Sequence, residues 1–153
     1  MSEPQETLIL GVGAHYRGDD TVGLRVAAAL EGRVPPGVTV QEASGEGTAL
    51  MTLWSGWPRV IVVDACVTGA APGSHFRLEY PGARPLTGLR CSSHQFGVAE
   101  ALALAGTLGQ LPPSLTLYAI EGNCFDLGAE PSPEVAAAAA TVAAEILAEV
   151  TAQ

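Results

Sequence analysis

The sequence is short of cysteine, of aromatic rings, of basic charge and of long apolar runs, and each shortage closes off a class of protein. Three cysteines (Cys66, Cys91 and Cys124) are too few and odd in number for a disulfide scaffold, and suit a reducing compartment. Aromatic residues make up 5% of the chain, so its core must be filled by Val, Leu, Ile and Ala. Seven Lys plus Arg stand against sixteen Asp plus Glu. The resulting net charge of −9 opposes attraction to a phosphate backbone and sets nucleic acid aside as a partner. No run approaches the roughly 18 apolar residues of a membrane span. The opening residues, Met1-Ser2-Glu3-Pro4-Gln5-Glu6, are polar and acidic, the reverse of a secretory leader. The expectation is a cytoplasmic monomer with no membrane association.

What is present is apolar and regularly spaced. Hydrophobic residues at 48% with charged residues at 15% argue for one compact domain over residues 1–153. Residues 7–12 predict a strand, and Val22, Val26, Ala29 and Leu30 recur at helical spacing over 21–31, where Gly32 and Pro35-Pro36-Gly37 stop the helix. Residues 38–41 form a short β-branched strand, followed by a polar, Gly-rich stretch and a short helix over 50–54. The uninterrupted apolar run 59–63 is the clearest strand, of the kind buried on both faces of a parallel sheet, and it ends at Asp64. Residues 68–89 turn to Gly, Pro and Arg, with one candidate edge strand at 74–78. A helix capped by Ser92 or Ser93 then runs to Leu108-Gly109. Residues 115–120 give the last strand, and Ser132-Pro133-Glu134 opens a final helix with Val135, Ala139, Val142, Ile146 and Val150 as its stripe. The order β-α-β-α-β-β-α-β-α predicts a three-layer α/β/α fold around a mostly parallel, roughly five-stranded twisted sheet.

In such a fold ligands bind at the carboxyl edge of the sheet, and three stretches return there. They are the loop Gly11-Val12-Gly13 through Gly18-Asp19-Asp20, the end of the third strand at Asp64, and Ser92-Ser93-His94-Gln95. Gly11-Val12-Gly13 does not complete the G-x-G-x-x-G fingerprint, and Asp19-Asp20 would oppose a pyrophosphate. One of these aspartates has a plain role as a helix-start acid. Asp64 follows a buried strand and is desolvated there unless it meets a helix terminus, a metal or a proton partner, although capping the next turn would also account for it. His94, placed at a helix start, is kept neutral by the dipole, the form that binds metal. Asp20, Asp64 and His94 together have the composition of a divalent-metal site. Cys91 and His94 have C-x-x-H spacing, so a thiolate–imidazole zinc site drawing on Cys66 or Cys124 is a rival. His15 and Glu46 are further loop candidates, whereas His75 and Glu121 read as strand residues. The chain has no G-x-S-x-G elbow, no H-E-x-x-H and no P-loop.

Taken in order, Leu10-Gly11-Val12-Gly13 with Gly18-Asp19-Asp20-Thr21-Val22-Gly23, Val62-Val63-Asp64-Ala65, and Ser93-His94-Gln95-Phe96-Gly97 resemble the nickel-iron hydrogenase maturation proteases. The likeness extends through Pro72-Gly73 and the last strand and so spans nearly the whole chain. It implies an endopeptidase that hydrolyses one peptide bond near the C-terminus of a hydrogenase large-subunit precursor after nickel insertion. The nickel is carried by the substrate and serves as the recognition signal. The family's metal-binding and catalytic positions fall on Asp20, Asp64 and His94. The chain departs from the family at Ala14, where asparagine is usual, and at Ser44-Gly45-Glu46-Gly47-Thr48, where Asp-Gly-Gly-Thr is frequent. The Ser-Gly-Glu form, with Tyr118-Ala119-Ile120-Glu121-Gly122, is similar to a subgroup, which implies a different choice of partner. The alternative is a nickel-dependent checkpoint that binds the precursor without cutting it.

Overall fold

The computed structural model describes residues 6–80 and 97–152. Five strands, β1 (Thr7–Val12), β2 (Val38–Ala43), β3 (Arg59–Cys66), β4 (His75–Tyr80) and β5 (Ser114–Glu121), form one sheet in the order β2-β1-β3-β5-β4. The first four in that spatial order are parallel, and β4 closes one edge antiparallel to β5. Four helices, α1 (Val22–Leu30), α2 (Gly47–Trp54), α3 (Val98–Leu108) and α4 (Pro133–Thr151), cover its two faces.

Strand alternation decides which side each residue serves. Leu8, Leu10, Val12, Val60, Val62, Leu115 and Leu117 face α2 and α3, where they meet Leu50, Trp54, Val98 and Leu102. Ile9, Ile61, Val63, Tyr118 and Ile120 face α1 and α4, against Val22, Val26, Leu30, Val135, Val142 and Ile146. The result is the three-layer α/β/α arrangement, with β1, β3 and β5 apolar on both faces because both are covered.

Three boundaries differ from the sequence expectation. The third strand does not stop before Asp64 but continues to Cys66, paired with Ala119, Ile120 and Glu121 of β5. Helix α2 starts three residues earlier than the apolar pattern suggests, at Gly47. Its start is capped by Glu46, whose carboxylate accepts hydrogen bonds from the Thr48 and Ala49 amides at 3.1 and 3.0 Å. Helix α3 begins at Val98, with Glu100 accepting from the Gly97 amide at 2.9 Å, so the expected caps Ser92 and Ser93 do not start it. Those two serines, His94 and Cys91 lie outside the described residues.

Candidate active site

The loop after β1 is built for close approach. A Cβ on Gly11 would strike the Gly23 carbonyl, one on Gly13 the Asp20 carbonyl, and one on Gly23 the carbonyls of Val12 and Val63. Glycine at these positions lets the start of α1 sit directly on β1 and β3. That accounts for the Gly11-Val12-Gly13 pattern without a nucleotide. The chain enters α1 through a single 3-10 turn, Gly18–Thr21, whose two aspartates are both buried.

The Asp19 carboxylate accepts from the amides of Asn123 (2.6 Å), Cys124 (2.9 Å) and Ser132 (2.6 Å), and from the Ser132 hydroxyl (2.9 Å). Burial pushes its pKa up, but these bonds outweigh burial and hold it below the usual carboxyl value. Asp19 therefore ties the 3-10 turn to the loop between β5 and α4. It is the aspartate with a structural task, although that task is not the capping of its own helix expected from the sequence. The charge of Asp20, by contrast, acts on Asp64 of β3.

Asp64, 1% exposed, lies inside β3 rather than beyond it. Its Oδ1 accepts from the Ala65 amide at 2.8 Å, and its Oδ2 is buried with no hydrogen-bond partner. Burial raises its pKa well above the ordinary carboxyl value, and the charge of Asp20 raises it further. Two buried carboxylates that repel one another, one with an unused oxygen, call for a shared proton or a cation between them. Among the described residues no third His, Cys, Asp or Glu joins them in a metal-holding group. The structure thus brings Asp20 and Asp64 together, while His94 falls outside what it describes.

The other candidates have local partners. His15 Nε2 is 3.3 Å from Glu42 on an exposed surface, and His75 Nε2 is 3.3 Å from Glu145. Cys66 is a free buried thiol whose pKa burial and Glu121 push up to about 12, and Cys124 is free and half-buried. Glu121 is a strand residue as expected, with an unexpected task. Its buried carboxylate accepts from the Thr68 amide (2.9 Å) and hydroxyl (2.6 Å) and from the Gly69 amide (3.3 Å), fixing the loop that leaves β3 just past Asp64. The only sequence signal for this role is a charged residue closing an otherwise apolar strand.

Comparison with known proteins agrees with this architecture. The family model for hydrogenase maturation protease matches residues 24–149. The hydrogenase 2 maturation protease of Escherichia coli (strain K12) is 31% identical over 116 residues, covering 74% of this chain and 71% of that protein. The hydrogenase expression/formation protein HupD of Thiocapsa roseopersicina is 31% identical over 139 residues, covering 88% and 63%. The structure of the hydrogenase maturating endopeptidase HybD from E. coli matches with a TM-score of 0.80 at 28% identity, over 95% of this chain and 92% of that one. The hydrogenase maturation protease HycI from Thermococcus kodakarensis KOD1, at 22% identity and a TM-score of 0.75, covering 97% and 94%, shares the fold. No helix among the described residues is long and apolar enough to cross a membrane. The chain belongs to the hydrogenase maturation protease family and is a hydrolase of the peptidase class.

Proposed function

We propose that the chain removes a C-terminal peptide from the large-subunit precursor of a nickel-iron hydrogenase, and that Asp20, Asp64 and His94 grip the nickel which that precursor carries. The observation that supports the metal role is the unpartnered, buried Oδ2 of Asp64, on a carboxyl that also feels the charge of Asp20. A buried carboxylate pair with an unfilled oxygen is stabilised by a cation. Two carboxylates with one imidazole suit a borderline divalent ion.

The chain's own residues then have distinct tasks. Capture of the cation relieves the repulsion within the carboxylate pair and displaces any proton bound there. Asp19 and Glu121 hold the two loops on which the pair depends. Nickel, once placed there by the substrate, supplies a Lewis acid that polarises the scissile carbonyl or activates the attacking water. In the hydrolysis the water's hydroxyl goes to the acyl carbon and its remaining proton to the departing amine. Family membership favours this peptidase over a non-cutting checkpoint. The sparse cysteines suit a cytoplasmic setting, where the precursor would be met as a folded, nickel-loaded protein.

The test is the intact mass of a cognate nickel-loaded precursor, with and without this chain. Loss of one C-terminal peptide only when both nickel and the chain are present is the expected result, and Asp64→Ala should leave the mass unchanged. An uncut precursor with the unaltered chain would overturn the proposal. Normal cutting by an Asp20→Ala, Asp64→Ala, His94→Ala triple variant would remove the three residues from it.

A further inference from the structure

We propose that Tyr16, Val67 and Leu127 form the surface on which the body of the hydrogenase large-subunit precursor docks, bringing its tail to Asp20 and Asp64. This rests on the function proposed above. Large apolar side chains exposed among the described residues are few: Tyr16 at 78%, Leu127 at 76%, Leu108 at 53%, Val67 at 47% and Leu104 at 39%. Leu104 and Leu108 belong to α3. The other three lie one each on the loops leaving β1, β3 and β5, neighbouring parallel strands that open at the edge where the carboxylates sit.

Exposed apolar side chains on loose loops would be unremarkable, but these loops are pinned. The Tyr16 carbonyl accepts from the Gly128 amide at 2.5 Å, which couples Tyr16 to the segment carrying Leu127. Asp19 fixes the ends of that segment at Asn123 and Ser132. Val67 precedes Thr68, which Glu121 clamps. Tyr16 is also held at φ +64°, a left-handed conformation that a bulky side chain adopts only when its surroundings enforce it. An open cleft of about 330 Å³ lies beside it, walled by Leu24, Ala28 and Pro131 together with the charged Arg25, Glu42 and Glu130, and offers a seat for a partner side chain. Rigid aromatic and aliphatic anchors around a pocket lose little entropy on binding and carry most of an interface's energy. Asp20 shares the connection after β1 with Tyr16, and Asp64 lies in β3 three residues before Val67, so a protein delivering a peptide to that pair approaches along the loops that carry these side chains.

The experiment measures Kd, KM and kcat for the cognate nickel-loaded precursor with the unaltered chain, Tyr16→Ala, Leu127→Ser and, as a control on α3, Leu108→Ser. Tyr16→Ala and Leu127→Ser should each raise Kd and KM about tenfold or more with kcat at saturation retained, while Leu108→Ser stays within about twofold. Tyr16→Asn, which tolerates the left-handed backbone, should bind as weakly as Tyr16→Ala and so separates lost contact from a collapsed loop. Unchanged Kd and KM in the Tyr16 and Leu127 variants, or an equal loss at Leu108, would overturn the docking surface while leaving the peptidase proposal standing. A chain that binds but does not cut, and loses binding at Tyr16, would keep the surface and overturn the peptidase proposal. No binding by the unaltered chain would overturn both.

Discussion

Asp19 and Asp64 are both buried carboxylates at one edge of the sheet, and they differ in what surrounds them. Asp19 receives four hydrogen bonds and its pKa is lowered; Asp64 receives one, and its pKa is raised by burial and by Asp20. A carboxylate whose oxygens are filled by the protein's own donors is committed to holding the fold. One that is desolvated with an oxygen left unfilled works against the fold, and a site that keeps such a group has another use for it. The distinction yields opposite expectations for the same Asp→Asn exchange.

The largest effect should come from Asp64→Asn. The new amide can donate towards Asp20 where a second charge repelled it, and its oxygen can still accept from Ala65. A carboxyl with a folded pKa raised above its unfolded value of 3.8 supports folding when protonated and opposes it as pH rises through the raised value. Processing should therefore be abolished at every temperature, while the metal-free chain gains about 1–2 kcal/mol at neutral pH. That gain should shrink as pH falls towards 3.8, where the native Asp64 is itself neutral. Thermal melts at two pH values, set beside the precursor mass assay, check both halves. A variant that is inactive and less stable would show that Asp64 is structural after all.

Asp19→Asn should do the reverse. An amide cannot accept on both sides, so whichever way it turns, an N–H faces backbone N–H groups of Asn123, Cys124 or Ser132. Leaving those donors unmatched should cost roughly 3 kcal/mol, which for a chain of this size lowers Tm by about 6–12 °C. Processing should fall with the folded population and recover on cooling. Loss of activity at full stability would instead place Asp19 in the chemistry.

The contrast explains what the sequence could disclose. The apolar runs at 7–12 and 59–63 and the helical spacing along α4 are local signals, so the layers and the parallel sheet were readable. The antiparallel edge strand was placed within two residues of β4, because its flanking Gly and Pro mark it. Helix starts were misjudged where the cap was unusual: a glutamate for α2, and a glycine with Glu100 for α3. Asp64 was recognised as chemically exceptional from its position after an apolar run, although the strand continues past it. Neither the Asp19 anchor nor the Glu121 clamp was readable, since their donors lie far along the chain at Asn123, Cys124, Ser132, Thr68 and Gly69. Residue chemistry alone reached a divalent-metal site and stopped; nickel and the precursor came from the likeness of three ordered motifs.

A third carboxylate, remote from that edge, sharpens the comparison with the smallest expected effect. Glu149 of α4 accepts from Arg77 Nε at 2.6 Å, from the Tyr118 hydroxyl, and from Arg59 Nη2 at 3.3 Å. Burial pushes its pKa up, but the bonds from Arg77 and Tyr118 prevail and hold it below its usual 4.5. Its contribution is fully present above the unfolded value and disappears as pH falls through the lowered one. Glu149→Gln should thus reduce stability by about 1 kcal/mol at neutral pH. The difference in Tm from the unaltered chain should narrow below pH 4.5 and vanish in stronger acid. Because its oxygens are satisfied and it lies away from Asp20 and Asp64, kcat/KM for the precursor should not change. A Glu149→Gln chain that melts normally yet processes poorly would break the rule that a filled carboxylate serves only the fold, and would require coupling from α4 through Tyr118 of β5 to the neighbouring strand that carries Asp64.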